Sequence, residues 1–416
     1  MSSMDPVASE ELAAKKPVRL HYLDSLQVLA ILMVFLFHAL HPFDYLEWHI
    51  KNAEQSMAVM LFQMFFATWG MPFFFLMSGI NSWHALRQRD AGQFAIERVK
   101  RLLIPFIVGA ILLSPIQLYY QWSHEVQTGL FQGSLQEFFK DRELVVGPRV
   151  FGWAGYHLWF VGFLFAYSLI ALPLFTWLKR DGGRRFVRWL AGVCERRGGI
   201  LLFILPSILA RLVLQPFFPH EHDWADFTYM FLFFISGHLL YCDERFARAI
   251  RRDRFLMLGI AVFSTVLLFA GSILGAAMEW AERPGTAAFY LVWSGVAVNA
   301  WCWSFSMLYV GMRFLDFSNK WLRYGRMASL PFFLLHQPVI IVIAFYVVQW
   351  DTSAWLGAGV GILLKLLVVV VGSFVVTLAL YEFLVRRSGT VRALLGVKGQ
   401  RRRKARTGAD ERAITT

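Results

Sequence analysis

Of the 416 residues, 57% are hydrophobic and 17% aromatic, and the mean hydropathy is +0.50. That is more apolar surface than one soluble core absorbs, which excludes an ordinary soluble domain or a disordered chain and leaves an integral membrane protein. The formal charge of +13 requires no nucleic-acid partner, because juxtamembrane Lys and Arg clusters are drawn to the headgroups of anionic membrane lipids.

In chain order, residues 1–22 read as a cytoplasmic segment lacking the apolar core and small-residue cleavage site of a removable signal. Stretches able to cross roughly 30 Å of hydrocarbon follow at 23–43, 57–83, 102–122, 157–178, 199–217, 225–241, 255–278, 286–312, 327–349 and 364–385. The expected fold is an all-α integral membrane protein, a bundle of about ten transmembrane helices over 23–385, with Lys365 snorkelling at the outer edge of the last. The outer segment from Trp122 to Tyr156 is long enough for structure of its own, with Phe131 to Phe139 forming a short amphipathic helix that caps an outward-opening site. Residues 386–416 are a basic cytoplasmic tail whose Arg401-Arg402-Arg403-Lys404 run reads as solvated or lipid-bound.

Loop charges set the orientation. Lys15, Lys16 and Arg19, then Arg87 to Arg101, Lys179 to Arg197, Arg245 to Arg254, Arg313 to Arg326 and the tail alternate with acid-rich segments carrying Asp44, Glu47, Glu54, Glu137, Glu221 and Asp226. By the positive-inside rule both termini are cytoplasmic. Cys194 and Cys242 fall in inner loops and Cys302 in an apolar helix, so neither a disulfide framework nor a zinc spacing is expected, and no metal.

Within the first helix, Gln27 and His38 are eleven residues apart, a separation that rotates by only about 20° and rises about 16 Å. They share one face. A histidine stripped of water is costly unless paired or hydrated, which makes His38 a functional candidate beside the plainer reading of a structural hydrogen bond. Arg98 and Arg101, one turn apart where the third span begins, can converge on one anion or simply anchor the positive side, while Lys100 points toward lipid. Ser78-Gly79 marks close helix packing. Pro338 frees a backbone carbonyl beside His336, and such a break can line a cavity; a packed core histidine is the alternative. Arg211, Asn299 and His238 are buried polar positions with no partner evident in the sequence.

Several segments carry a resemblance in order along most of the chain. Tyr22-Leu23-Asp24-Ser25-Leu26-Gln27 leading to Leu36-Phe37-His38, Pro72 to Ile80, Arg98 to Phe106, His157-Leu158-Trp159-Phe160 and Leu334-Leu335-His336-Gln337-Pro338 resemble the acyltransferase-3 family of integral membrane acyltransferases. Tyr381 to Arg387 is similar to its glucan succinyltransferase branch. One position departs: the family usually has Arg or Lys eleven residues before the first-helix histidine, and Gln27 supplies hydrogen bonds without the charge. Arg19, two turns earlier, is a candidate to reach inward instead.

The resemblance implies a multi-pass protein of the bacterial inner membrane that moves an acyl group from a cytoplasmic CoA thioester, acetyl-CoA or succinyl-CoA, to a hydroxyl of an extracytoplasmic carbohydrate. Arg98 and Arg101, with Gln27, would hold the nucleotide, and His38 would act as general base or form an acyl-histidine intermediate. His336 would stabilise the oxyanion or bind the acceptor. Ser78, Trp159 and His41 are implied substrate contacts, although Trp159 also suits an aromatic belt and His41 the lining of an exit. A transporter or flippase of a carbohydrate or lipid-linked substrate is the other class that fits intramembrane His, Arg and Lys, and Gln27 favours it slightly. Binding of acyl-CoA and dependence on His38 separate the two.

Overall fold

The computed structural model describes residues 21–124, 131, 133–140 and 156–397, which are helical with no strand among them. The helices relevant to the site are α1 (His21–Leu40), α2 (Met57–Arg87), α3 (Ala91–Ser123, with a π-helical turn at Val99–Leu103), α4 (Leu135–Lys140), α5 (Trp159–Ile170), α6 (Leu172–Leu178), α7 (Asp181–Cys194), α8 (Ile204–Leu214), α9 (Trp224–Leu240), α10 (Glu244–Arg252), α11 (Arg254–Ile273), α12 (Ala276–Ala281), α13 (Ala287–Phe314), α14 (Lys320–Val347), α15 (Ala358–Leu380) and α16 (Gly389–Leu394).

Every apolar stretch read from the sequence contains helix, as an all-α membrane protein requires. Among the described residues seven helices are long and apolar enough to cross a bilayer, and up to nine if the bent pairs α5–α6 (47°) and α9–α10 (107°) each count as one. The stretch at 199–217 opens with a 3-10 turn and its α-helix ends at Leu214, ahead of Pro216, leaving Gly199–Leu214 short for a span. Of the amphipathic helix expected at Phe131–Phe139, the structure has the shorter α4, with Phe138 fully buried against Trp122 and Leu118. The basic segments are structured too: Arg252 of α10 donates to the carbonyls of Cys194 (3.0 Å) and Arg196 (2.7 Å) and to that of Glu195, satisfying the end of α7. The tail residues 398–416 and the N-terminal Lys15, Lys16 and Arg19 lie outside the described residues.

The centre of the bundle is α1, α2 and α14, with α9 and α13 packed on α2 and α15 on α14. Gly79 of α2 and Gly237 of α9 meet reciprocally. A Cβ on Gly79 would collide with the carbonyl of Phe234, and one on Gly237 with that of Leu76. The Ser78-Gly79 step is therefore a backbone-to-backbone contact between membrane helices, where small residues let the axes close up.

The buried polar positions picked out in the sequence are held by neighbours from other helices. Asn299 bonds Thr68 (2.9 Å), Ser264 (2.9 Å) and Thr265 (2.8 Å), tying α13 to α2 and α11. Arg211 pairs with Asp226 at 2.8 Å between α8 and α9 and lies over the rings of Tyr229 and Trp293. His238 stacks on Phe175 with ring centroids 3.6 Å apart. Lys365 does not snorkel. It is buried and donates to Asn52 Oδ1 (3.1 Å) and the Val348 carbonyl (3.2 Å), because the connection between α1 and α2 brings Asn52 against α15 and the end of α14 brings the Val348 carbonyl.

Candidate active site

Two features occupy opposite ends of the α1–α2–α14 core. At the end where α1 begins lies a cavity of about 420 Å³ lined by Asp24 and Gln27 from α1, Ser78 from α2, Arg98 and Arg101 from α3, and Arg326 from α14. The π turn Val99–Leu103 follows Arg98 directly and inserts one residue into the helical register, so both guanidiniums reach the same space. Arg98 lies over Phe94 and donates to Ser82 Oγ at 3.4 Å, and Arg101 lies 3.5 Å from Glu97, which also holds Arg89 at 2.9 Å. Deeper, the walls turn apolar, with Ile31, Phe74, Phe160, Leu330 and Phe333.

At the far end of α1 six histidines gather: His38, His41, His49, His124, His157 and His336. Phe333 lines the cavity and its ring centroid also lies 5.6 Å from those of His157 and His336, so this side chain joins cavity and cluster.

Hydrogen bonds settle the tautomers of the central pair. His38 Nδ1 is 3.0 Å from the Val34 carbonyl, which only accepts, so Nδ1 carries the proton and Nε2 keeps its lone pair. His336 Nδ1 likewise donates to the Phe333 carbonyl at 2.6 Å, leaving its Nε2 as an acceptor 3.1 Å from His38 Nδ1. His38 is thus oriented on one side by α14 while its basic nitrogen has no hydrogen-bond partner among the described residues, and the side chain is only half-buried, unlike His336 at 1% exposure. His157 Nε2 donates to the Leu334 carbonyl at 3.2 Å. That carbonyl is the one that lacks an i+4 donor, because residue 338 is proline. His157 Nδ1 and Gln337 Oε1 remain buried without a partner among the described residues.

The connection after α1 supplies charge. Asp44, with 0% exposure, lies 2.7 Å from His41 Nδ1 and 2.8 Å from Lys51 Nζ, and Lys51 also donates to the His41 carbonyl at 2.6 Å. Burial would raise the Asp44 carboxyl, but hydrogen bonds and charge from His41 and Lys51 outweigh it and hold the group below its ordinary range. His49 donates from Nδ1 to Gln121 (2.7 Å) and accepts from Gln337 (3.2 Å), the pattern of a neutral ring, and burial lowers its pKa to about 4.

Both shifts have one consequence for stability. His49 takes up its proton in the unfolded chain near pH 6.5 and in the folded chain only near 4. Its contribution is full above 6.5 and is lost as pH falls toward 4, while that of Asp44 disappears below the ordinary carboxylate range. Thermal unfolding in detergent followed across this range is expected to show a midpoint that drops on acidification, and a midpoint that rises would contradict the assignment of His49.

Among the residues picked out in the sequence, His38 and His336 meet directly, and Gln27, Ser78, Arg98 and Arg101 line one cavity. His41 is clamped by Asp44 and stacks on Trp48 beside the pair. Trp159 lies elsewhere, packed on His222 (4.2 Å between centroids) and Phe163. Sequence reasoning passed over His157 and Arg326. Proline chemistry at 338 was a signal for the first, whereas nothing local marks Arg326 as a cavity residue.

Comparison with known proteins decides the family. Residues 20–382 match the acyltransferase-3 model, described as an acyltransferase domain. The chain belongs to this family. It is a multi-pass membrane acyltransferase, 24% identical over 382 residues to proteins named glucans biosynthesis protein C from Salmonella schwarzengrund (strain CVM19633) and Salmonella agona (strain SL483), a match covering 88% of this chain and 92% of each relative. No solved structure matches it. Among the described residues no group of three or more His, Cys, Asp or Glu is arranged to hold a metal ion, the histidine cluster included.

Proposed function

We propose that this acyltransferase moves an acetyl or succinyl group from cytoplasmic acyl-CoA to a hydroxyl of an extracytoplasmic carbohydrate in the bacterial inner membrane, both termini facing the cytoplasm. One observation carries the reading: His38 has its Nδ1 proton held by α1 and α14 and its Nε2 without a hydrogen-bond partner among the described residues, in a cluster that Phe333 joins to an arginine-lined cavity. The name of the relatives supports a glucan as the carbohydrate.

The acceptor hydroxyl gives its proton to His38 Nε2 as its oxygen attacks the thioester carbon; the C–S bond breaks and the departing thiolate takes the proton back. His336 Nε2 accepts from His38 Nδ1 throughout and steadies the ring while it is charged. The unpartnered His157 Nδ1 and Gln337 Oε1 suit acceptor hydroxyls.

Arg326 accounts for the missing charge at position 27. It lines the same cavity as Gln27, lies 3.7 Å from Asp24, and comes from α14 rather than α1. Losing a charge-assisted hydrogen bond to a phosphate costs about 1.5–3 kcal/mol, or roughly 10- to 100-fold. Arg326→Ala is therefore expected to raise KM for acyl-CoA by that factor with little change in kcat, and Gln27→Arg added to it should recover much of the loss. An unchanged KM would remove Arg326 from the site. The donor and acceptor themselves are tested by mass analysis of cell-envelope glycans with and without the gene, where a difference of one acetyl or succinyl group is expected and identical glycans would reject the reading.

A further inference from the structure

A second cavity of about 660 Å³ adjoins the first and shares Arg89, Glu97 and Arg101 with it. Its remaining walls are Gln93, Ile96, Lys100 and Ile104 from the start of α3 and Ala393, Gly396 and Val397 from the segment that ends the described chain. Lys100, read from the sequence as pointing to lipid, opens into this space and makes no ion pair among the described residues.

The far wall is built rather than draped. Ser388 caps α16 by accepting from the Val391 amide at 3.2 Å, Leu395 is buried, and Gly396 adopts φ +68°. A side chain at Gly396 would meet Pro105 and the Arg101 carbonyl at 2.8 and 2.9 Å. The chain therefore docks on the very turn that aims Arg98 and Arg101. The result is an apolar slot of Ile96, Ile104, Ala393 and Val397 with cations along one edge, the chemistry of a purine carrying phosphates.

Size argues in the same direction. Pockets for drug-sized ligands run to about 300–1,000 Å³, and coenzyme A is longer than such ligands, whereas the first cavity offers about 420 Å³. We propose that the second cavity takes the 3′-phosphoadenosine end of the acyl-CoA donor, so that α16 and Lys100 are parts of the donor site while the diphosphate and the pantetheine arm occupy the first cavity. This rests on the reading that acyl-CoA is the donor.

The test measures binding of coenzyme A, 3′-dephospho-coenzyme A and pantetheine to the full-length protein in nanodiscs, for wild type, Lys100→Ala and Val397→Trp. Wild type should bind coenzyme A at least tenfold more tightly than either fragment. Lys100→Ala should erase the difference between coenzyme A and its dephospho form, and Val397→Trp, which fills the slot, should weaken coenzyme A at least tenfold; pantetheine itself should bind all three proteins equally. Wild-type binding of coenzyme A that neither variant alters overturns the proposal and leaves the donor reading standing. No binding of coenzyme A by wild type overturns both. Repeating the titrations with phosphatidylglycerol in place of phosphatidylcholine separates the other source of phosphate: unchanged affinity supports the nucleotide, whereas loss of the Lys100-dependent increment assigns the slot to lipid headgroups and overturns the proposal.

Discussion

His38→Ala is expected to reduce acyl transfer by about 10²- to 10⁴-fold, the range over which a positioned general base accelerates proton transfer, while the protein still inserts, extracts and unfolds like wild type. The fold should survive because His38 is half-buried and its hydrogen bond to Val34 lies within its own helix. His336→Ala removes only the group that steadies the ring through Nδ1 and should cost less than His38→Ala. His336→Gln keeps an acceptor there and should restore part of the rate, which a merely space-filling role would not produce. Rapid quenching with labelled donor adds a second readout: label retained on the wild-type chain and absent from His38→Ala would mean that His38 attacks the thioester itself. Full transfer activity in His38→Ala would remove the imidazole from the reaction.

What the sequence disclosed and what it hid follow from the physics of helices. Apolar length locates helices, and helical period puts Gln27 and His38 on one face and Arg98 beside Arg101, because all of these relations lie within a single helix. Neither length nor period says which helices face one another. Arg326 lies nearly three hundred positions beyond Gln27, and its entry into the same cavity depends on α14 packing against α1, which only the assembled bundle provides. His157 was half legible: Pro338 implies an orphaned carbonyl at Leu334, but the donor that satisfies it comes from another helix. Lys365 was misread for a related reason, since a lysine near a helix end is assigned to the interface unless the acceptors of a distant loop are known. Trp159 was raised by a motif in which the neighbouring His157 proves to be the residue at the cluster.

The largest stability effect is expected from Asp44→Ala. The carboxylate is fully buried between His41 and Lys51 and also accepts from the Leu46 amide at 2.9 Å. Removing one partner of a buried ion pair leaves the other charge without compensation and typically costs about 3–5 kcal/mol. The unfolding midpoint of Asp44→Ala should therefore fall sharply at neutral pH, where the wild-type carboxylate is charged. Asp44→Asn combined with Lys51→Met removes both charges and should recover much of that stability, because neither is then stranded. Activity should not recover in parallel. His41, stacked on Trp48 and directed by Asp44, would lose the acceptor that fixes its Nδ1 proton, and its ring centroid lies 6.5 Å from that of His38. A double variant restored in both stability and transfer would make Asp44 purely structural; one restored in stability alone would give it a share in positioning the histidines.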